Sequence, residues 1–322
     1  MKRLLTLIMA AALLLAFTVP ATAGKIPLFG EKQPGGILVF SDQRQSTGSI
    51  FFVDDSGTDA AGNGRNPDNP VATIDYAVGL CTAGAGDVIY VMPGHAESVA
   101  TSITMDVAGV SIIGLGHGHS RPTLTTTAAT DCITVTAADC RIENIIFAVP
   151  GIDAVTADIN VAGARCSIVN TVHHGSTTDK NKVDIITITA TGHDCLVDGA
   201  RIYNKTVEVV GGIVLEGAAE RVEIANVMVQ DAIGFTGGSI SDEATALMLY
   251  VHNSTFSNAK ADTVVAEFGN NTTGVMRDCF INGRHTTIQS NVTTGTGMAF
   301  YEVYGVEEAA KNGLLMPAVD AD

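Results

Sequence analysis

One eight-residue pattern keeps returning along this chain. "CRIENIIF" begins at Cys140, "CSIVNTVH" at Cys166, "CLVDGARI" at Cys195 and "VEIANVMV" at Val222. Written as small–x–aliphatic–x–Asn, it fits Val110-Ile112-Gly114, Cys140-Ile142-Asn144, Cys166-Ile168-Asn170, Cys195-Val197-Gly199, Val222-Ile224-Asn226 and Leu249-Val251-Asn253, and more loosely Gly274-Met276-Asp278. The fifth positions lie 30, 26, 29, 27, 27 and 25 residues apart. A period of that size is the mark of a solenoid, in which each repeat buries its apolar face against the next.

Alternation identifies the unit. Positions one and three are apolar, whereas two and four vary freely, as in Arg141/Glu143 and Glu223/Ala225. That is a strand with one buried face. Another short strand precedes most copies ("ITVTA" at Ile133, "IITITA" at Ile185, "GIVLEG" at Gly212, "VVAEF" at Val264), and a third run follows the fifth position, ending for instance at Phe147 or Val229. Several short strands per repeat, with no helical period, predict an all-β parallel β-helix of about seven coils, roughly 30–35 Å long at the ordinary strand spacing. Absent tryptophan and few aromatics suit the same reading.

Stacked coils explain the fifth position. Asn144, Asn170, Asn226 and Asn253, with Asp278, are expected at corresponding corners as a structural ladder. There an Asn adopts a left-handed backbone, as Gly114 and Gly199 do freely, and its amide reaches the next Asn. Cys140, Cys166 and Cys195 share the first slot, as small buried side chains would. Bridging between neighbouring slots stays open as an alternative to reduced thiols.

The N-terminus reads as an address. "MKR" is followed by an apolar run from Leu4 to Val19 and an A-x-A site at Ala21 and Ala23. This predicts a signal peptide over 1–23, hence secretion or a periplasmic or cell-surface location, with no stable membrane span after cleavage. The expected organisation continues with an extension over 24–50, a capping segment over 51–94, coils over 95–284 and a C-terminal cap or tail over 285–322, in which "VEEAAKNGLLMP" reads as a brief closing helix. The formal net charge of −16, or −18 without Lys2 and Arg3, argues against nucleic acid as a partner. It would also repel an acidic polysaccharide unless a cation intervened.

The segment Phe51–Gly94 carries a resemblance. "ATIDYAVGLCTA" places Ile74, Ala77, Val78 and Cys81 on one face of a short helix capped by Thr73. Gly57, Asp59, Asn69, Pro70, Ala72, Thr73, Ile74, Ala77, Gly86, Asp87, Ile89, Val91, Pro93 and Gly94 follow an order that resembles the opening of right-handed parallel β-helix proteins of the pectin-lyase-like superfamily. With "VSIIGLGHGHSRPTL" and "GLLMPAVDAD", the chain is also similar to β-helix proteins without assigned roles in phage and environmental sequences, which implies a phage-associated setting. The resemblance implies a fold. It leaves open pectate lyases, polygalacturonases, alginate epimerases and lyases, tailspike hydrolases and inactive relatives.

The residues favour binding over catalysis. His117 in "GHG" matches one polygalacturonase motif without the others, and Asp54-Asp55 precedes the coils. The outward slots supply Glu143, Asp198, Glu223, His252 and Arg277, a sparse face with no carboxylate triplet on adjacent coils for Ca²⁺, the cofactor an enzyme reading would need. Asp198, Arg201 and Tyr203 flank one corner and are suited either to a sugar ring or to a surface ion pair. The candidate ligand-binding residues are therefore Glu143, Asp198, Arg201, Tyr203, His252 and Arg277. His173 falls in a core slot, while Asp179, Lys180, Lys182 and Asp184 read as a solvated loop. A largely apolar outward row, Ile146, Val172, Arg201, Met228, Thr255 and Phe280, predicts an interface such as a trimer's, or intramolecular cover. The expected function is a non-catalytic binding or structural module on carbohydrate surfaces. The alternative is a polysaccharide lyase or glycoside hydrolase.

Overall fold

Alternation in the sequence becomes register in space. Ile142 pairs with Ile112 on one side and Ile168 on the other, and the column continues through Val197, Ile224, Val251 and Met276. The computed structural model describes residues 48–177, 180–204, 209–231, 234–242, 245–284, 291–293, 297–306 and 314–315. The signal peptide expected over 1–23 and nearly all of the extension over 24–50 lie outside them.

Each turn passes through three sheets. Ten strands form sheet A: Ile50–Val53, Val88–Val91, the seven strands of the repeated pattern from Ser111–Gly114 to Thr273–Arg277, and Gly297–Tyr301. Sheet B, also of ten strands, runs from Ala96–Val99 to Leu314–Leu315. Sheet C has eight, from Ile103–Met105 to Val292–Thr293. The chain is a right-handed parallel β-helix of about seven turns. Inward positions of all three sheets fill one core, with Ile142 and Ile224 from sheet A, Phe147 and Phe256 from sheet B, and Ile159 and Ile213 from sheet C. Each such side chain contributes about 1.5–3 kcal/mol on burial.

Two corners of most turns are left-handed. The fifth positions Asn144, Asn170, Gly199, Asn226, Asn253 and Asp278 have φ between 51° and 69°. The N–H of Asn144 donates to Val169 O on the next turn, that of Asn170 to Asp198 O and that of Gly199 to Ala225 O. The side-chain amides do not join one another. Asn144 Nδ2 donates to Gly114 O and Gly116 O, and Asn226 Nδ2 to Asp198 Oδ1. Gly114 corrects the sequence reading. It closes its strand without a left-handed backbone, and a Cβ there would meet Asn144 O at 2.4 Å, so close approach requires glycine. The other corner stands just before position one, at Gly109, Asp139, Arg165, Asp194, Arg221 and Met248, all with φ between 55° and 79°.

The opening motif is built for this fold. Helix α1 (Ile74–Gly79) buries Ile74, Ala77 and Val78, and Thr73 accepts from Tyr76 N as its cap. Asp59 gathers the N–H groups of Ala72 and Thr73 and the Thr73 hydroxyl. Asp87, 2 % exposed, takes Ser49 N and Thr82 N. Gly57 allows the backbone of Pro70 and Val71 to pass where a Cβ would come within 2.7 Å. Two carboxylates tie the helix to the first turn, with Glu97 accepting Ile74 N and Asp75 accepting Thr104 N.

At the other end the winding passes the boundary drawn at Arg284. Gly297–Tyr301 pairs in parallel with Thr273–Arg277, and Tyr304–Val306 pairs with Phe280–Asn282. Leu314–Leu315, inside the segment expected as a helix, forms an antiparallel strand against Tyr304 and Gly305. The remainder of the tail after Val306 lies outside the described residues.

All six cysteines are unpaired. Cys140, Cys166 and Cys195 are buried in the core, and each thiol faces backbone carbonyls, Cys166 those of Ala137 and Ala164. The neighbouring Cys140 and Cys195 thiols, together with burial, push the Cys166 thiol up and keep it protonated.

Candidate functional site

Register separates the residues proposed from sequence. The fourth position of the pattern gives one outward column on sheet A: Glu143, Val169, Asp198, Ala225, His252, Arg277 and Tyr301. Glu143 is held by Arg141 two residues earlier on the same strand, at 2.8 Å. Asp198 accepts the Asn226 amide at 2.7 Å. These two carboxylates therefore serve neighbouring side chains and do not converge on a shared point.

His252 and Arg277 do belong together. Tyr250, Val275, Arg277, Tyr301 and Glu302 line an open groove of about 520 Å³ on sheet A. His252 stacks on Tyr250 at 4.4 Å and bonds Glu223 Oε1 at 2.9 Å, which fixes the Tyr250 ring from behind. Tyr301 is 61 % exposed. Asp278 bonds Arg277, raising the guanidinium's pKa, and Arg277 with Glu302 holds the Asp278 carboxyl below its usual range. The groove thus offers two phenol rings, a cation and a carboxylate to water. Sequence reasoning missed Tyr301 because the repeat was ended too early. The signal was present: Met298-Phe300-Glu302 is a further copy, in register with Gly274 and Met276, and Glu302 has the corner's left-handed φ of 53°.

The corner beside Arg201 differs from expectation. Asp198 and Arg201 do not pair. Arg201 instead faces Arg121 across a cleft of about 240 Å³ lined by Asn144, Asn170, Thr171, Val172 and Gly199. Arg121 Nη2 donates to Asn170 O. Burial first, and then the charge of Arg201, lowers the Arg121 pKa. On the adjoining strands of sheet B, His174 and Tyr203 stack with ring centroids 5.9 Å apart. A glycine at 199 leaves room for the Asn170 amide, since a Cβ would sit 2.6 Å from Asn170 Oδ1.

Lys182 overturns the solvated-loop reading. It is 2 % exposed, and its Nζ bonds Asp158 Oδ1 at 2.7 Å, Ala148 O at 2.9 Å and His174 O at 2.6 Å. His173 lies beside it, wholly buried and stacked on Phe147 at 4.8 Å, with Nδ1 on Asp158 Oδ2 and Nε2 on Thr171 Oγ1. Lys180 is exposed, and Asp179 lies outside the described residues. His117 is exposed in the turn before Gly118–Ser120.

A second charged column escaped the sequence reading altogether. Asp139, Arg165, Asp194 and Arg221 alternate in sign on successive turns, with Arg165 bidentate on Asp139 and Arg221 on Asp194. The signal was the residue immediately before each first position. The apolar row on sheet B points outward, with Ile146, Val172, Met228 and Thr255 half-buried and Phe280 and Tyr304 exposed. Among the described residues no cluster of three or more His, Cys, Asp and Glu could hold a metal ion. Nor, among them, is any helix long and apolar enough to cross a membrane.

No protein-family model and no curated protein matches the sequence. Solved structures do. A pectate lyase, Pel9A, superposes with a TM-score of 0.52 at 14 % identity, over 83 % of this chain and 79 % of that one. A rhamnogalacturonan lyase gives 0.48 at 13 % identity over 84 % and 90 %. A protein of Geobacillus virus E2, ORF18, gives 0.29 at 13 % identity over 73 % and 57 %. At such identities the likeness is one of architecture: the chain has the pectin-lyase-like right-handed parallel β-helix fold.

Proposed function

We propose that this protein binds carbohydrate without cleaving it, through the groove on sheet A. The observation that carries the reading is that exposed Tyr301 and Tyr250 line one groove beside Arg277 and Glu302. Sugar rings present apolar C–H faces that pack on aromatic rings and hydroxyls that bond to charged rims. The rigid stacked turns hold the rings about one strand spacing apart per step, so the face is organised before a ligand arrives. Of the carboxylates at the groove, Glu223 is engaged by His252 and Asp278 by Arg277, which leaves Glu302 as the single carboxyl facing a ligand. A hydrolase would need a pair of carboxyls facing each other across the scissile bond, and a lyase would need a base poised at the α-proton.

The test is binding and cleavage measured on the same samples. Calorimetric titration with a panel of neutral and acidic polysaccharides should give saturable binding to at least one. Tyr301→Ala should weaken it about tenfold, the loss expected from a stacked aromatic worth about 1.5 kcal/mol. Prolonged incubation should leave chain length unchanged. New reducing ends, or unsaturated ends absorbing in the ultraviolet, would overturn the non-catalytic reading in favour of a polysaccharide lyase or hydrolase.

A further inference from the structure

Six of the described arginines on the turns fall into two groups. Arg141, Arg165, Arg221 and Arg277 each bond a carboxylate. Among the described residues Arg121 and Arg201 bond none, in a chain with 34 acidic residues against 18 basic ones. They also face each other across one cleft, close enough for Arg201 to lower the proton affinity of Arg121. Arg121 Nε is buried with no hydrogen-bond partner among the described residues, although its Nη2 is satisfied by Asn170 O. Like charges brought together, with a buried donor unmet, cost free energy that a bound anion would return.

The cleft has the form of an oxyanion receptor. The exposed Arg201 fork supplies charged donors, the Arg121 guanidinium adds its charge beside it, and the Asn170 side chain adds a neutral amide at the rim. Guanidinium groups match planar and tetrahedral oxyanions in a fork geometry that an ammonium cannot reproduce. Beside it, the stacked His174 and Tyr203 rings provide an apolar wall for the body of a ligand whose charged group enters the cleft. The turn bearing Arg201 lies two turns from that bearing Tyr250, about 10 Å along the axis. An extended oligosaccharide spans that distance.

We infer that the Arg121–Arg201 cleft binds the oxyanion of an acidic saccharide, a uronate carboxylate or a sulfate ester, and makes the carbohydrate surface selective for charged glycans. The inference rests on the carbohydrate-binding reading for its polymer and stands alone for the anion. It also answers the repulsion expected from the net charge, because two local cations outweigh distant acids that are screened at physiological salt.

The experiment titrates wild type, Arg121→Gln, Arg201→Gln and Tyr301→Ala with sodium galacturonate, sodium sulfate and glucose. It repeats the titrations with galacturonate oligomers, a sulfated oligosaccharide and a neutral oligosaccharide. Thermal melting checks each fold. Wild type should bind galacturonate or sulfate but not glucose, in a salt-sensitive way. Either arginine variant should lose about tenfold or more in affinity for the anion, as for a charge-assisted hydrogen bond, while melting as wild type does. Tyr301→Ala should leave free-anion binding intact. Preference for the uronate arm names a polyuronide, and preference for the sulfate arm a sulfated glycan. If wild type binds neither anion, or if the arginine variants bind as well as wild type, the inference falls. Anion binding without oligosaccharide binding would sink the carbohydrate-binding proposal and leave the cleft standing.

Discussion

Two ionic clusters in this protein use the same distance in opposite surroundings. Lys182 meets Asp158 at 2.7 Å with both side chains at 1 % exposure or less; Arg165 meets Asp139 at 2.7 Å with both more than half exposed. Separation therefore cannot decide what each is worth. Water screens the edge column, and its long side chains lose rotamer freedom when held, so exposed pairs contribute little. In the core, both charges have been stripped of water, and their mutual attraction and shared hydrogen bonds must offset that cost. The edge column ties successive turns at a corner that is already left-handed. The core cluster ties the Asp158 end of one turn to the Lys182 segment of the next and to His173 stacked on Phe147. The difference teaches that the core cluster is vulnerable to loss of any single member, whereas the edge column is tolerant.

The largest expected effect is therefore at Lys182. Lys182→Met leaves the Asp158 carboxylate buried beside His173 alone, and should cost about 3–5 kcal/mol, read as a lowered urea midpoint. The double change Lys182→Met with Asp158→Leu removes both charges and should recover much of the loss. A single variant as stable as wild type would break the contrast between core and edge.

The next effect is pH dependence. Burial first holds the His173 pKa below its usual 6.5, against the opposing pull of Asp158. Unfolded chains take up a proton near 6.5 that the folded protein refuses until a lower pH. The contribution of neutral His173 is thus complete above about pH 6.5 and is lost as pH falls through the folded value. The unfolding free energy, read from urea midpoints, should be flat above about pH 7 and should slope downward below 6.5, by at most about 1.4 kcal/mol per pH unit. His173→Phe, which keeps a ring on Phe147, should remove that slope while leaving the lower carboxylate-linked transition. An unchanged slope in the variant would assign it to other groups.

Most of the architecture was legible because stacking forces like onto like. The inward column from Ile112 to Met276 could be written down from alternation alone, and the left-handed corners from Asn144 and its counterparts. Gly114 was misread because glycine serves two purposes, and only the nearby Asn144 carbonyl shows that closeness, not φ, is the reason. The Asp139–Arg221 column went unseen because charged residues in left-handed corners carry no compositional flag; their signature is position, and alternating sign along the axis reveals itself only after the turns are aligned. Lys182 was misplaced for a related reason. A run of charges reads as solvated, and nothing local shows that Asp158 and the carbonyls of Ala148 and His174 close over one of them. Arg121 lies 80 residues from Arg201 in the chain, so the cleft they share belongs to the winding and to no motif.

The smallest effect is at the edge, and salt makes it decisive. Arg221→Gln removes the bidentate bond to Asp194 and the bond to Glu220, both exposed. Melting should fall by no more than about 2 °C at low salt, because the solvent already screens these charges. At about 1 M salt the screening length shortens to about 3 Å, and the difference from wild type should vanish. Lys182→Met, measured in parallel, should keep its full loss at both salt concentrations, since ions do not enter the core. If the two variants respond to salt alike, burial is not what separates them: a salt-insensitive Arg221 loss would mean that the edge pairs act by packing turn on turn, and a salt-sensitive Lys182 loss would mean that water reaches Asp158.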